Sequence, residues 1–140
     1  MSRIALAAFA ALALSAGAAL AATETFTTTM DGKSEVPPKT TNGGGHVTAT
    51  LDTTTKVLTW DATYSGLSGP ATMAHFHGPA AVGVNAPVVI PWQNATSSPV
   101  HGTATLTDTQ MQDFEAGKYY ANVHTAANPA GEIRGQMVKQ

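Results

Sequence analysis

Threonine alternates with apolar residues along much of this chain. In segments such as "HVTATL" at 46–51 and "HGTATL" at 101–106, apolar residues or glycine occupy every second position, and histidine or threonine occupies the positions between them. Successive side chains of a strand point to opposite faces, so a period of two predicts strands with one buried face. Threonine supplies 21 of residues 22–140, and β-branched residues favour strands over helices. The chain is therefore predicted to be mostly β.

The alternating segments predict eight short strands, separated by turns rich in glycine, proline, asparagine and serine. A single open sheet would leave its apolar face in water. The sequence therefore predicts an all-β fold, an antiparallel β-sandwich or barrel of the immunoglobulin-like or superoxide-dismutase-like kind. The strands are expected at 24–30, 46–51, 56–64, 71–77, 87–92, 100–106, 118–125 and 132–138.

One segment, "LTDTQMQDFEAGK" at 106–118, predicts a helix over residues 108–116. Thr107 is a suitable N-cap, and Gln110 lies three residues later, where it completes a capping box. Gly117 suits the left-handed residue that ends a helix. The segment "DGKSEVPPKTTNGGG" at 31–45 has two prolines and a glycine triplet, so it is predicted to be an irregular loop.

Residues 1–21, "MSRIALAAFAALALSAGAALA", have the pattern of an export signal. Arg3 precedes an apolar run that ends in small residues, which favours cleavage after Ala21. We expect a single domain over residues 22–140, in the periplasm or secreted, with no membrane span after cleavage.

Charge and cysteine content narrow the candidate partners. Residues 22–140 contain six Lys and Arg against nine Asp and Glu, with no basic cluster, so nucleic acid is not an expected partner. The chain has no cysteine, so disulfides and thiolate metal ligands are excluded. The expected partner is a metal ion or an unknown protein.

The histidines of "MAHFH" at 73–77 lie on strand positions of equal parity. If Phe76 points into the core, His75 and His77 both point to the outer face. In "KYYANVHT" at 118–125 the same alternation places Asn122 and His124 on the outer face. His-x-His alone is a weak signal, and a third histidine on a neighbouring strand would make a metal site more plausible.

The last two predicted strands are joined by the short loop "TAANPAG", which favours an antiparallel hairpin. Its simplest register pairs His124 with Glu132, Asn122 with Arg134, and Tyr120 with Gln136. If the strand of "HFH" neighbours this hairpin, the three histidines meet on one outer patch together with Glu132 and Arg134.

Three segments, "SGLSGPATMAHFHGPA", "LTDTQMQDFEAGKYYANVHT" and "PAGEIRGQ", resemble the CHRD domain, named after chordin. The resemblance runs from about Glu24 to the C-terminus and implies a β-rich domain, but the family's biochemical role is poorly defined. The family's motif positions fall on His75, His77, Gly78, Pro79, Asn122, His124, Gly131, Glu132, Arg134 and Gly135.

The chain is also similar, more faintly, to copper-zinc superoxide dismutase, whose copper site uses a His-x-His on a strand. The bridging histidine with its zinc loop and the disulfide of that family have no counterpart here. Dismutase activity is therefore not expected.

These observations lead to a hypothesis in which His75, His77 and His124 bind copper, or less readily zinc. Imidazole is the commonest metal ligand, and nitrogen sites without thiolates rank copper highest. Binding requires neutral imidazole, so it should weaken below about pH 6. Met73 either is a soft axial ligand or covers apolar surface, and the second interpretation is favoured.

Of the three supporting residues, Glu132 and Arg134 each have more than one interpretation. Glu132 either is a fourth ligand, or orients an imidazole, or forms an ion pair with Arg134, and the ion pair is favoured. Arg134 either attracts an anion or ties Glu132 and the "HGPA" turn together through backbone carbonyls. Asn122 belongs to the same predicted patch.

Two other functions stay open at this point. In the first, the domain is a metal-free structural or protein-interaction module, and the same residues form a hydrogen-bonded network that fixes the "HGPA" turn. In the second, it is a copper redox enzyme, which needs an open coordination position. The sequence has no nucleophile elbow or phosphate loop. A binding module is therefore preferred to an enzyme.

Overall fold

The structure is a computed structural model that describes residues 22–140, so the expected export signal lies outside the described residues. Within this range no helix is both long enough and apolar enough to cross a membrane. The described chain forms β1 (Thr23–Asp31), β2 (Gly44–Asp52), β3 (Val57–Ser65), β4 (Ala71–His77), β5 (Val88–Pro91), β6 (Val100–Thr105), α1 (Asp108–Glu115), β7 (Tyr120–Thr125), β8 (Ile133–Gln136) and β9 (Val138–Lys139).

The strands form one antiparallel sheet in the order β5-β4-β7-β8-β1-β2-β3-β6, with β9 paired to β1. The sheet curls until its two ends approach each other. Trp92, just after the edge strand β5, packs on Trp60 of β3, with 6.1 Å between the ring centroids. The predicted all-β antiparallel fold with one short helix is confirmed, as a nearly closed barrel.

The core follows the predicted alternation. In β2, Val47, Ala49 and Leu51 are buried, whereas Thr48 is half-buried and Thr50 exposed. Burial of each valine or leucine side chain stabilises the folded state by about 1.5–3 kcal/mol relative to its exposure to water. Strands β1 to β8 supply apolar side chains to the same interior, and most polar side chains lie on the other face of the sheet.

Helix α1 covers one part of this interior. The capping box is present: the Gln110 amide donates to Thr107 Oγ1 at 3.2 Å, and the Thr107 amide donates to Gln110 Oε1 at 2.9 Å. The helix ends at Glu115, one residue before the predicted end, and Gly117 has a φ of +70°. Phe114 is fully buried and packs edge-on against Phe26 at 4.9 Å.

The strand predicted over 132–138 is divided in the structure. Strand β8 lies between β7 and β1 and pairs with both, whereas β9 pairs with β1 alone, at Phe26 and Thr27. Met137 lies between them, fully buried, and its amide donates to the Tyr119 carbonyl at 2.9 Å. The inward residues Ile133, Gly135 and Met137 keep regular alternation across this break. The sequence pattern therefore did not reveal that the strand is divided. The segment 32–43 is irregular, as predicted.

Substituting Thr107→Ala should lower the free energy of unfolding by about 1 kcal/mol, because the Gln110 amide loses its acceptor. Thr109→Ala is the matched control, since Thr109 is exposed inside the same helix and caps nothing. Urea denaturation measures both variants. Equal losses in the two variants would contradict a specific role for the capping box.

Candidate metal centre

Strand pairing brings the three predicted histidines together. Strand β4 pairs with β7, so the expectation that "HFH" neighbours the last hairpin is confirmed. The hairpin has the predicted register at Asn122–Arg134 and Tyr120–Gln136, whereas His124 and Glu132, also predicted to face each other, are not strand partners. The facing pairs are Met73 with His124, His75 with Asn122, His77 with Tyr120, Tyr120 with Gln136, and Asn122 with Arg134.

The imidazoles of His75, His77 and His124 form a compact group. Each offers one nitrogen such that the three atoms lie within 4.8 Å of one another. His75 Nδ1 and His124 Nε2 are 3.3 Å apart. Nitrogen atoms at such separations can bind one common ion and leave no room for an organic molecule between them.

Backbone carbonyls fix the protonation of two of these rings. His77 Nδ1 lies 3.0 Å from the Ala86 carbonyl, and His124 Nδ1 lies 3.0 Å from the Pro129 carbonyl. A carbonyl oxygen only accepts, so each Nδ1 carries the proton and each Nε2 presents a lone pair. His77 Nε2 is buried, and no atom of residues 22–140 forms a hydrogen bond with it.

The histidines are less exposed than the sequence suggested. We expected a surface site, but His77 is 8% exposed and His124 is 6% exposed, while His75 is half-buried. The segment 78–87, called here the covering loop, folds back over His77, and the 126–131 loop lies against His124. Strand alternation identifies the side of a sheet to which a residue points, but not whether a loop covers that side.

Arg134 holds the covering loop in place. Its guanidinium donates to the Val84 carbonyl at 2.6 Å and to Asn85 Oδ1 at 2.9 Å, and its Cζ lies 3.5 Å from the centroid of the Tyr120 ring. Tyr120 also stacks on His77, with 4.8 Å between centroids and 2° between planes. Arg134 therefore acts on the histidines through Tyr120 and the loop, as a supporting residue.

The surroundings keep the imidazoles uncharged. Burial, with smaller effects of His124 and His77, lowers the pKa of His75 to about 4. Burial also lowers the pKa of His77, although the hydrogen bond to Ala86 opposes it, and burial lowers the pKa of His124. At pH 7 all three rings are therefore in the neutral form that binds metal ions.

Asn122 connects the outer face to the irregular segment 32–43. Its amide group donates to the Glu35 carboxylate and to the Ile133 carbonyl, the latter at 2.9 Å. Burial raises the pKa of Glu35 to about 7, although the bond from Asn122 opposes this. The sequence reasoning missed Glu35, because it lies in an irregular segment where no periodicity indicates the direction of a side chain.

A separate cleft of about 450 Å³ opens between segment 32–43 and the covering loop. Lys33, Glu35, Val82 and Arg134 are among its lining residues, whereas the three histidines are not. The cleft and the histidine group are therefore two distinct features of the outer face.

Comparison with known proteins identifies the family. The family model of the CHRD domain matches residues 26–137, which include all three histidines and their supporting residues. The chain belongs to the CHRD domain family. Searches of the curated proteins and of the solved structures gave no match.

Glu132 of this CHRD domain takes a position that the sequence did not predict. Its carboxylate accepts hydrogen bonds from hydroxyl and amide groups instead of approaching His124 or pairing with Arg134. Glu132 lies in a bend before β8, directly after Gly131 with a φ of +125°, so strand alternation does not apply to it. The donors are Thr41 Oγ1 at 2.6 Å, Ser68 N at 2.8 Å, Ser68 Oγ at 2.6 Å, Thr125 Oγ1 at 2.6 Å and Asn128 Nδ2 at 3.2 Å.

These bonds determine the charge of Glu132. Burial alone would raise its pKa, but the hydrogen bonds outweigh burial and bring the pKa down to about 2. The unfolded chain therefore binds a proton at a higher pH than the folded CHRD domain does. The contribution of Glu132 to stability is present above about pH 4.5 and is lost as the pH falls towards 2.

Substituting Glu132→Gln should lower the free energy of unfolding by about 2–3 kcal/mol at pH 7, because one charged acceptor is replaced by a donor facing hydroxyl groups. The variant should also lose part of the acid sensitivity between pH 4.5 and pH 2. Denaturant unfolding at several pH values measures both effects. Glu115→Gln, on the last residue of α1, is the control. A variant with unchanged stability and the wild-type pH profile would contradict this role.

Proposed function

We propose that this CHRD domain is an exported metal-binding protein that holds copper(II), and zinc(II) less tightly, through His75, His77 and His124. The proposal is carried by one observation: the buried Nε2 of His77 has no hydrogen-bond partner among residues 22–140 and belongs to a group of three ligand nitrogens. A buried polar atom without a partner costs about 1–3 kcal/mol, and a metal ion would remove this cost.

The distances within the group support this proposal. Metal–imidazole bonds of about 2.0–2.1 Å place two tetrahedral ligand nitrogens about 3.3 Å apart. His75 Nδ1 and His124 Nε2 already have this separation of 3.3 Å. The remaining separations, up to 4.8 Å, close to bonding geometry by side-chain rotation without a change of the strands.

The types of ligand support copper over zinc. Sites with nitrogen ligands follow an order of intrinsic affinity in which copper(II) exceeds zinc(II). Three protein ligands leave at least one coordination position open, and the half-buried His75 marks the more accessible side of the group. The hydrogen bonds from His77 and His124 to carbonyls are the kind that orient ligand imidazoles in known metal sites.

The environment also affects competition from protons. An unperturbed histidine has a pKa of about 6.5, and below that pH most of it is protonated and cannot bind a metal ion. The pKa values of all three histidines lie below this in the folded domain. Binding is therefore expected to persist to a lower pH than the value of about 6 inferred from the sequence.

The proposed location is the periplasm or the exterior of the cell, as the pattern of residues 1–21 indicates. There the domain would meet free or weakly bound metal ions without competition from its own thiolates, since the chain has no cysteine. We propose no enzymatic activity.

One observation favours a second function, that of a metal-free structural or interaction module. His77 and His124 already bind carbonyls of the covering loop and of the 126–131 loop, so both rings have a packing role. In that function, the histidines would connect loops to the sheet and the domain would act through another surface. Metal titration separates the two functions.

Calorimetric titration of the metal-free protein with copper(II) should show one site. Single substitutions His75→Ala, His77→Ala and His124→Ala should each weaken binding by about tenfold or more, equivalent to at least 1.4 kcal/mol. The triple variant should show no site. His101→Ala is the matched control, since His101 is exposed on β6 and contacts Asp61 instead. If the wild type binds no better than the triple variant, the structural function takes the place of the metal function.

Copper(II) should also raise the melting temperature, because it binds the folded state. A free-ion concentration 100 times the dissociation constant contributes about 2.7 kcal/mol, which corresponds to a shift of roughly 10 °C for a domain of this size. Scanning calorimetry with and without a chelator measures the shift. The shift should be absent in the triple variant, and an equal shift there would indicate adventitious binding.

A further inference from the structure

We propose that Met73 is a fourth ligand of the histidine site, so that the site holds copper(I) as well as copper(II). This inference rests on the proposed metal-binding function. It adds a residue and an oxidation state that the three histidines alone do not specify.

The position of Met73 is set by strand pairing. Its Cα is the partner of the His124 Cα across the β4–β7 pair. Side chains of such partners have Cβ atoms about 5 Å apart on the same face. Met73 also precedes His75 by two residues on β4, so both point to the outer face. Met73 therefore flanks two of the three ligands.

Strand β4 has an irregularity just before Met73. The register of the β4–β7 pair shifts between Ala71 and Met73, and both Ala71 and Ala74 are buried. The three-residue spacing between these inward alanines would be out of phase in a regular strand. The shift therefore accounts for the inward Ala71, whereas Met73, His75 and His77 share the outer face by regular alternation.

Exposure argues against a packing role for Met73. It is 47% exposed, whereas Met30 and Met137 are fully buried in the core. The covering loop contacts the sheet near His77 and Tyr120, and Met73 lies two positions beyond His75 from that end of β4. The sequence analysis favoured Met73 as a cover for apolar surface. Its exposed position beside polar histidines instead favours the other interpretation, that of a ligand.

The chemistry of the thioether selects the oxidation state. Methionine sulfur is a soft, neutral ligand, and soft ligands favour copper(I). Copper(II) and zinc(II) are adequately bound by imidazole nitrogen and gain less from sulfur. Met73 should therefore strengthen copper(I) binding selectively, whereas removal of any histidine weakens every metal.

The test compares copper(I) and copper(II) affinities of the purified, exported protein. Copper(I) is supplied anaerobically in competition with a chromophoric copper(I) chelator, and copper(II) is titrated separately. Met73→Leu keeps a similar apolar volume at an exposed position, so the fold is retained. It should lower copper(I) affinity about tenfold or more and change copper(II) affinity less than about threefold. Met111→Leu, in α1 and packed against the core, is the control and should change neither.

X-ray absorption of the copper(I) form provides a second readout. The wild type should show a sulfur neighbour of copper that is missing in Met73→Leu. An unchanged copper(I) affinity, an equal loss for both oxidation states, or the absence of a sulfur neighbour would overturn the role of Met73 while leaving the three-histidine site intact. A wild type that binds copper in neither oxidation state would instead overturn the proposed function itself.

Discussion

The contact between Arg134 and the covering loop is the interaction on which the outer face depends. Arg134 donates to the Val84 carbonyl and to Asn85, and Tyr120 interacts with Ala86 through its hydroxyl group at 3.1 Å. These bonds place the Ala86 carbonyl where it accepts from His77. Because that bond fixes the ring's protonation, a cation on β8 determines which nitrogen of a β4 histidine is available for binding.

The loops bury a group of polar side chains on the outer face of the barrel. Buried polar groups are costly unless they are hydrogen-bonded, and most of those on this face have partners. Glu132 illustrates the rule, since five donors surround its carboxylate. Against that background, the unpartnered nitrogen of His77 stands out as the feature that an ion would complete.

Period-two alternation predicted most of the fold and the side of the sheet on which the histidines lie, because strand geometry imposes it directly. The short loop before β8 predicted the hairpin and two of its three facing pairs, and the capping residues Thr107 and Gln110 predicted the helix. The covering loop and Glu35 were not predictable, because loops dock through individual contacts that have no periodic pattern. Glu132 was misplaced for a related reason: the bend after Gly131 ends the alternation that was extended to it.

The three histidines differ in how firmly they are held, and this difference has a kinetic consequence. His77 and His124 are anchored to backbone carbonyls, whereas His75 has only the contact with His124 and is more exposed. An ion in the proposed site would therefore contact two rings whose positions the loops fix and one ring that can adjust to it. Side-chain rotation takes nanoseconds or less, whereas loop opening takes far longer. Rotation of the His75 ring could therefore admit an ion to the proposed site without opening the loops that hold the other two rings.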